Sequence, residues 1–500
     1  MRQSSRSSGV RPLVLERLAE PSEQPKARGI GPLAAEALRR RGLGADLDRE
    51  HEQGLRKLEQ DHGTTKTHFA WIHKIDPDAA DPGRRGALIG QPALEALLRR
   101  YLSGLGVEVR FGHVLTGLEE GVPDGPARNA LMGVHENVLT VESPSGSRRV
   151  TARYVVGCDG GRSVVRKLAG FDFPGTPPLM TIRFARARAK GELPPPGRLA
   201  KGTLFHGEGM VATYDFQDTD PDRSAPLTAD EMGASVRRVA GIDVEITDFH
   251  GGMRFTDQAR QASTYRRGHT LLAGDAAHVH SPNGGQGLNL GLMDAMNLGW
   301  KLAAVVHGND ALLDTYTAER HPVGAAVLAN TRAQSALLAP GPHVDALRDV
   351  VSNLMDLPEV NQHLSRLLSG VTIRHEMPYP ATHPMTGMAC PPLIVDGVPL
   401  EKLTTSGRPL LLHPNAEALA GDRVEAVTAT DLGDHRLAAV LLRPDGVIAW
   451  ASAPSAHPGL GDHPGPGAHP GLGDHPGPGD EPGTDELQLA LDTWFRFPPT

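Results

Sequence analysis

Three loops of this chain carry residue types that could hold a ligand. Glu16 closes the short apolar run Leu13-Val14-Leu15. An acid at the end of a strand in a dinucleotide-binding unit accepts hydrogen bonds from an adenosine ribose; a surface acid in a salt bridge is the alternative. Asp159-Gly160-Gly161-Arg162-Ser163 sits between a strand-like run, Arg153 to Cys158, and a helical one, Ser163 to Leu168. Its glycines let backbone approach a ligand, and its aspartate could hold a ribose or a cofactor-bound water. An aspartate capping a plain strand-to-helix turn fits the same residues. The third loop, Ala273-Gly-Asp-Ala-Ala-His278, leads into Ser281-Pro-Asn-Gly-Gly-Gln-Gly-Leu-Asn289 and then a helix. A turn so rich in glycine offers backbone N–H groups and a positive helix end to negative charge.

The elements that must position these loops follow from hydrophobic spacing. Gly29, Gly31 and Pro32 open a helix predicted to run to about Arg41. Gln91 to Leu105 places Leu94, Leu97, Leu98, Tyr101, Leu102 and Leu105 three and four apart, and leads into a strand, Val107 to Phe111. Helices alternating with strands imply a parallel or mixed sheet covered by helices. Between Phe173 and Arg267 the pattern changes to short β runs, Leu179 to Arg186 and Gly209 to Phe216, which predict a separate sheet. Thr270 to Ala273 restores the strand, and a long helix follows with Leu288, Leu292, Met296, Trp300 and Ala303 along one side. Beyond about residue 375, Ala438 to Leu442 and Val447 to Trp450 flank Arg443-Pro-Asp-Gly446, a hairpin turn in a small α/β or β-rich unit.

Composition bounds the function. The 500 residues suffice for several domains; 39% are hydrophobic and 22% charged, with no apolar run near the ~20 residues of a membrane helix. A net charge of -8 argues against nucleic acid as a partner. Cys158 and Cys390 are the two cysteines, so a disulfide framework, a zinc ribbon and a CxxC redox pair are all excluded, and a cytoplasmic location is expected. Met1 to Ser8 is basic and serine-rich but too short for a transit peptide, and no secretory apolar stretch follows it. No G-x-S-x-G elbow or HExxH occurs. His278-x-His280 is open to a metal reading, with packing in a loop or a ligand site as the favoured one.

The three loops, in this order, resemble the FAD-dependent aromatic-ring hydroxylases, the single-component monooxygenases typified by para-hydroxybenzoate hydroxylase, in their polyketide-hydroxylase branch. RGHTLLAGDAAHVHSPNGGQGLNLGLMDAMNLGWKLA, residues 267 to 303, is similar to that family's second flavin motif, and YVVGCDGGRSVVRK to its DG motif. Arg17, Arg28 and Gln91 also stand where the family contacts its cofactor. The resemblance implies an α/β (α+β) fold: a Rossmann-like FAD-binding domain (residues 1–177 and 267–375), a mixed-sheet substrate domain (178–266) and a thioredoxin-like C-terminal domain (376–500). It implies that Glu16, with Arg17 beside it, binds the adenosine ribose of FAD, that Asp159 belongs to the site, and that Asp275 holds the ribityl or pyrophosphate region. Pro282 would lie by the flavin ring, with backbone amides from Gly285 through Gly287 and Leu288 to Asn289 facing its pyrimidine end, where reduced flavin carries charge. It further implies NADPH as reductant, dioxygen as co-substrate, a flavin C4a-hydroperoxide as oxidant and a phenolic polycyclic substrate. Trp71 is a candidate substrate-lining residue, with plain packing as its alternative. A homodimer is left open.

One departure from the family stands out. Its opening strand and GxGxxG loop have no counterpart before Glu16, and Gly29-Ile-Gly31-Pro-Leu-Ala34 fits only the letter pattern, since no strand directly precedes it. The expectation is a sequence that starts downstream of the true start or crosses a frameshift and that, as written, binds FAD poorly or not at all; the alternative function is a non-catalytic or flavin-deficient truncated homologue acting as a ligand-binding or interaction protein. Finally, AHPGLGDHPGPG at 456–467 is repeated unchanged at 468–479. Its Pro and Gly content predicts a disordered insertion, and its histidines, six apart, would lie about 19 Å from one another in polyproline II geometry, too far to share a metal.

Overall fold

Leu13–Leu15 and Glu108–Arg110 are far apart in the chain, yet pair as parallel strands from Leu13↔Glu108 to Leu15↔Arg110. The computed structural model describes residues 10–495 apart from 11, 25–26, 61–66, 77–80, 82, 124–134, 208, 220, 222–224, 306–309 and 455–483. Met1 to Ser8 and the repeat at 456–479 thus lie outside the described residues. A second parallel pair joins Val155–Gly157 to Thr270–Leu272, which also carries the short antiparallel strand Arg266–Arg267. No described strand lies between the two pairs, so among the described residues the parallel framework stands in two pieces.

The helix expected to stop near Arg41 does not. Pro32–Leu38 runs through a widened turn, Arg39–Leu43, into a further helix, Gly44–Gln60. Gly42, at φ 80, bends the chain without ending it. Tertiary contacts fix that bend: Arg40 donates to the carbonyls of Cys390 (2.9 Å) and Gly446 (3.3 Å), and Arg41 to that of Pro444 (2.5 Å). The helix Gln91–Gly104 forms as its leucine spacing requires, with Leu94 and Leu97 buried.

The middle region is a 5-stranded antiparallel sheet in the order Gly197–Leu199, Gly202–Gly207, Met210–Asp215, Thr181–Arg186, Gly252–Thr256. Period-two alternation divides its faces. Ala185, Leu204 and Val211 pack under the helix Ala229–Ala240 through Met232, Val236 and Val239, whereas Ile182, Tyr214, Phe205 and Phe255 turn to the opposite side, against Trp71. The strand begins at Thr181 and not at Leu179, because the Asp257 carboxylate takes the amides of Leu179 and Met180 at 2.8 and 3.0 Å.

Four helices, Gln286–Val305, Asp314–Leu338, Pro342–Leu354 and Pro358–Ser369, follow. The final region is a 4-stranded sheet, Glu425–Thr428, Leu410–His413, Ala439–Leu442, Ile448–Ser452, with its first pair parallel. Its expected hairpin closes with Arg443 N donating to Val447 O at 2.9 Å. That turn also anchors the region: Arg443 makes a bidentate contact with Glu319 at 2.9 and 2.7 Å, while Lys301 meets the same carboxylate at 3.0 Å. All three side chains are buried, and Trp300 and Trp494 lie against the Arg443 guanidinium.

Candidate active site

The glycine-rich turn forms where its residues predict. Gly284 and Gly285 hold φ +80 and +64, a conformation that side chains rarely adopt, and the helix starts at Gln286. The first turn of a helix leaves amides without intrahelical acceptors. The expected row of amides from Gly285 to Asn289 is shorter than predicted: Gly285 N donates to Pro282 O at 3.0 Å, and Asn289 lies where the intrahelical ladder begins. Among the described residues no acceptor is found for the amides of Gln286, Gly287 and Leu288. The Asn289 side chain works as a tie instead, its Nδ2 donating to Gly285 O at 3.1 Å and its Oδ1 accepting Gly31 N at 2.6 Å. Pro282 is exposed beside this turn, and Asn283 Nδ2 is buried there without a partner.

Behind the turn is a buried ion cluster that sequence reading missed. Asp294, wholly buried, accepts His278 Nε2 at 2.6 Å, Arg320 Nε at 2.8 Å and Gly274 N at 3.1 Å. Burial pushes the Asp294 carboxyl up, but Arg320 and His278 outweigh it and hold it below the usual carboxylate range. The one available signal was an acid set in the middle of a largely apolar helix. Through the Gly274 amide this cluster fixes the loop that carries Asp275. The Asp275 side chain is exposed, and no hydrogen bond to it is found among the described residues. His278 thus belongs to the Asp294 cluster, while His280 Nδ1 meets Ser281 O at 2.7 Å; no metal-ligand cluster occurs among the described residues.

The other predicted residues fall at three places. Glu16 continues the first parallel pair, its amide donating to Arg110 O at 2.8 Å; its Oε1 accepts Leu18 N at 2.8 Å, and Arg17 beside it is exposed. Arg28 is exposed on the segment that Gln91 and Asn289 tie down, Gln91 N donating to Ala27 O at 3.0 Å. The Gln91 side chain reaches Glu95 at 2.8 Å. Asp159 takes the capping role kept open above. Its carboxylate accepts Ser163 Oγ at 2.5 Å and the amides of Val164 and Val165 at 2.6 and 3.1 Å.

Trp71 stands on the far side of the turn. It lies in the two-residue loop between the paired strands Thr67–Phe69 and Ile72–Ile75, where Ala70 and Trp71 both adopt left-handed backbone, φ 50 and 62. Neither is Gly or Asn, so the loop carries strain of about 1–3 kcal/mol per residue. The indole stacks on His68 at 4.5 Å and packs against Phe205 (4.3 Å) and edge-on to Tyr214 (5.7 Å). Its buried Nε1–H has no acceptor at hydrogen-bonding geometry, yet lies near enough to Tyr214 to offset part of the upward push that burial gives that phenol. Burial, with His73 nearby, drives His68 down to about 4. His68 Nδ1 accepts the Trp71 amide at 3.3 Å, which places the proton of the neutral ring on Nε2.

The profile of the FAD binding domain family matches residues 6–331, and that of the aromatic-ring hydroxylase C-terminal family matches 383–463. The chain belongs to the FAD-binding aromatic-ring hydroxylase family. A 12-dehydrotetracycline 5-monooxygenase/anhydrotetracycline 6-monooxygenase of Streptomyces rimosus is 39% identical, over 90% of this chain and 92% of that protein. A rifampicin monooxygenase of Streptomyces venezuelae is 36% identical, over 89% and 91%. The solved structure of the OxyS anhydrotetracycline hydroxylase from Streptomyces rimosus superposes with TM-score 0.80 at 35% identity, covering 100% of this chain and 96% of that one. All three are named as oxygenating enzymes, which gives no support to a non-catalytic binding role. In a hydroxylase of this family the residues present suit the flavin ring: open amides at Gln286, Gly287 and Leu288, an unpartnered buried Asn283 donor, and glycine backbone where a Cβ at Gly285 would meet nothing within 4 Å.

Proposed function

We propose that the chain is an FAD- and NAD(P)H-dependent monooxygenase that inserts one oxygen atom of dioxygen into a phenolic ring of a polycyclic aromatic polyketide. FAD, when bound, supplies the two-electron and oxygen chemistry. The observation that carries the reading is the pairing of an amide-lined helix start, Gln286 to Leu288, with an aromatic wall of His68, Trp71, Phe205 and Tyr214 across one buried side chain, Gln334. The amides hold negative charge at the pyrimidine edge of the ring with dipoles set in advance. The wall presents flat apolar surface to a fused-ring substrate and keeps water from it. His68, neutral with its proton on Nε2, donates to a phenolic oxygen.

In this reading Glu16 and Arg17 hold the adenosine ribose, Arg28 and Gln91 border the cofactor, Asp275 takes the ribityl or pyrophosphate region, and Pro282 abuts the ring. Asp159 acts through the helix it caps. The three domain ranges, the thioredoxin-like character of the last, cytoplasmic location and a homodimer belong to the same proposal. No helix among the described residues is long and apolar enough to cross a membrane.

The test is reconstitution of the full chain with FAD, followed by NADPH-dependent oxygen uptake with anhydrotetracycline as probe. Flavin at one per chain, in place of the weak binding expected from the absent GxGxxG loop, and a product one oxygen atom heavier are expected. A loaded protein that oxidises NADPH no faster with the probe and yields no oxygenated product would refute the activity.

A further inference from the structure

The glycine-rich turn and the aromatic wall are joined by one buried amide. Gln334, on the helix Asp314–Leu338, has 0% exposure. Its Oε1 accepts the Ala70 amide at 3.0 Å. Its Nε2 lies against Gly284, where an added Cβ would stand 2.9 Å away. A second leg runs within the same helix: Gln334 Nε2 donates to Asn330 Oδ1 at 3.5 Å, and Asn330 Nδ2 to Gln286 Oε1 at 2.6 Å. Gln286 is held in turn by the carbonyls of Leu367 and Leu368 at 3.2 and 3.4 Å. On the opposite side Arg348 donates to Ala70 O at 2.7 Å. A left-handed turn of Ala70 and Trp71 persists only where its surroundings over-determine it; Gln334 and Arg348 hold Ala70, and His68 holds the Trp71 amide.

We propose that Gln334 is a positioning residue that locks the strained Ala70–Trp71 turn to the Gly284–Gln286 turn, so that filling the cofactor site is registered at the Trp71 ring. This rests on the cofactor reading above. The two turns share one amide with no slack between them, so a ligand that orders the glycine turn also narrows the orientations of the indole, and a substrate ring stacked on the wall favours the ordered glycine turn by the same amount.

The test uses the full chain labelled with 5-fluorotryptophan, which gives one 19F resonance for each of its Trp 4 residues. The Trp71 line is assigned by its loss in Trp71→Phe. FAD is titrated into the apoprotein, with binding followed separately by flavin absorbance. The Trp71 line is expected to shift as FAD fills the site. Gln334→Met, which keeps the volume and removes both hydrogen bonds, should bind FAD and lose the shift; Gln334→Glu, which keeps an oxygen for the Ala70 amide, should retain it. If Gln334→Met does not fold, Asn330→Leu cuts the second leg and should diminish the shift. A shift undiminished in Gln334→Met and in Asn330→Leu, or FAD binding to the wild type with Trp71 unmoved, overturns the positioning role. Failure of the wild type to bind FAD at all sinks the cofactor reading, and this inference with it.

Discussion

Replacing Asp294 by alanine probes the framework under the glycine-rich loop. The carboxylate accepts Arg320 Nε at 2.8 Å, His278 Nε2 at 2.6 Å and Gly274 N at 3.1 Å. At 2.8 Å and an effective dielectric of about 20, the attraction to Arg320 is about 6 kcal/mol before desolvation. Without Asp294 the Arg320 side chain, 4% exposed, keeps among the described residues only the Leu290 carbonyl at 3.3 Å. Stranding one member of a buried pair costs about 3–5 kcal/mol, a large share of the 5–15 kcal/mol or so that holds a domain together. Asp294→Ala, Arg320→Met and the double variant should be compared by urea unfolding and by FAD titration. The double variant is expected to be more stable than the sum of the single losses by about 2 kcal/mol or more, because it leaves no uncompensated charge. Release of Gly274 should also weaken FAD binding about tenfold, or 1.4 kcal/mol. A loss below about 1 kcal/mol with unchanged FAD affinity, or strictly additive losses, would refute the reasoning.

Two further outcomes follow from the buried charges. Burial holds both His68 and His375 down to about 4, against 6.5 for the free side chain. Between those values the unfolded chain takes up protons that the folded chain refuses, so stability should be level above pH about 6.5 and fall toward pH about 4; a melting temperature flat across that window would contradict this. Glu319→Gln leaves Arg443 its Asp445 carboxylate at 2.5 Å but should strand Lys301, whose amine burial already lowers to about 8, at a cost of about 3 kcal/mol. Amide hydrogen exchange across Leu410–His413 and Ile448–Ser452 should then accelerate, and protection unchanged from wild type would show that this cluster does not anchor the last sheet.

Much of the site was legible because its signals are local. The turn at Pro282–Gly285 and the helix start at Gln286 are dictated by glycine conformation and by spacing within a dozen residues, and the strands at Val155–Gly157 and Thr270–Leu272 by short apolar runs. Asp159 shows the limit of such signals: its residue types fit a ligand or a cap equally, and the three hydrogen bonds to its own helix start are a matter of geometry. The helix Gly44–Gln60 was missed because Gly42 reads as a stop, and only the contacts of Arg40 and Arg41 with the last region turn that stop into a bend.

The sequence by itself determined the chemistry on offer: a glycine turn with open amides, acids at strand ends, two cysteines without redox reach, and helices and strands in an order that calls for a covered sheet. Tertiary structure alone decided which amides stay open, that Asp294 and Arg320 share a buried pair, and that Gln334 stands between the glycine turn and Trp71. The reason is range. Propensity and periodicity act over a turn or two of chain, whereas a buried polar group takes whichever partner the packing of distant elements brings within hydrogen-bonding distance.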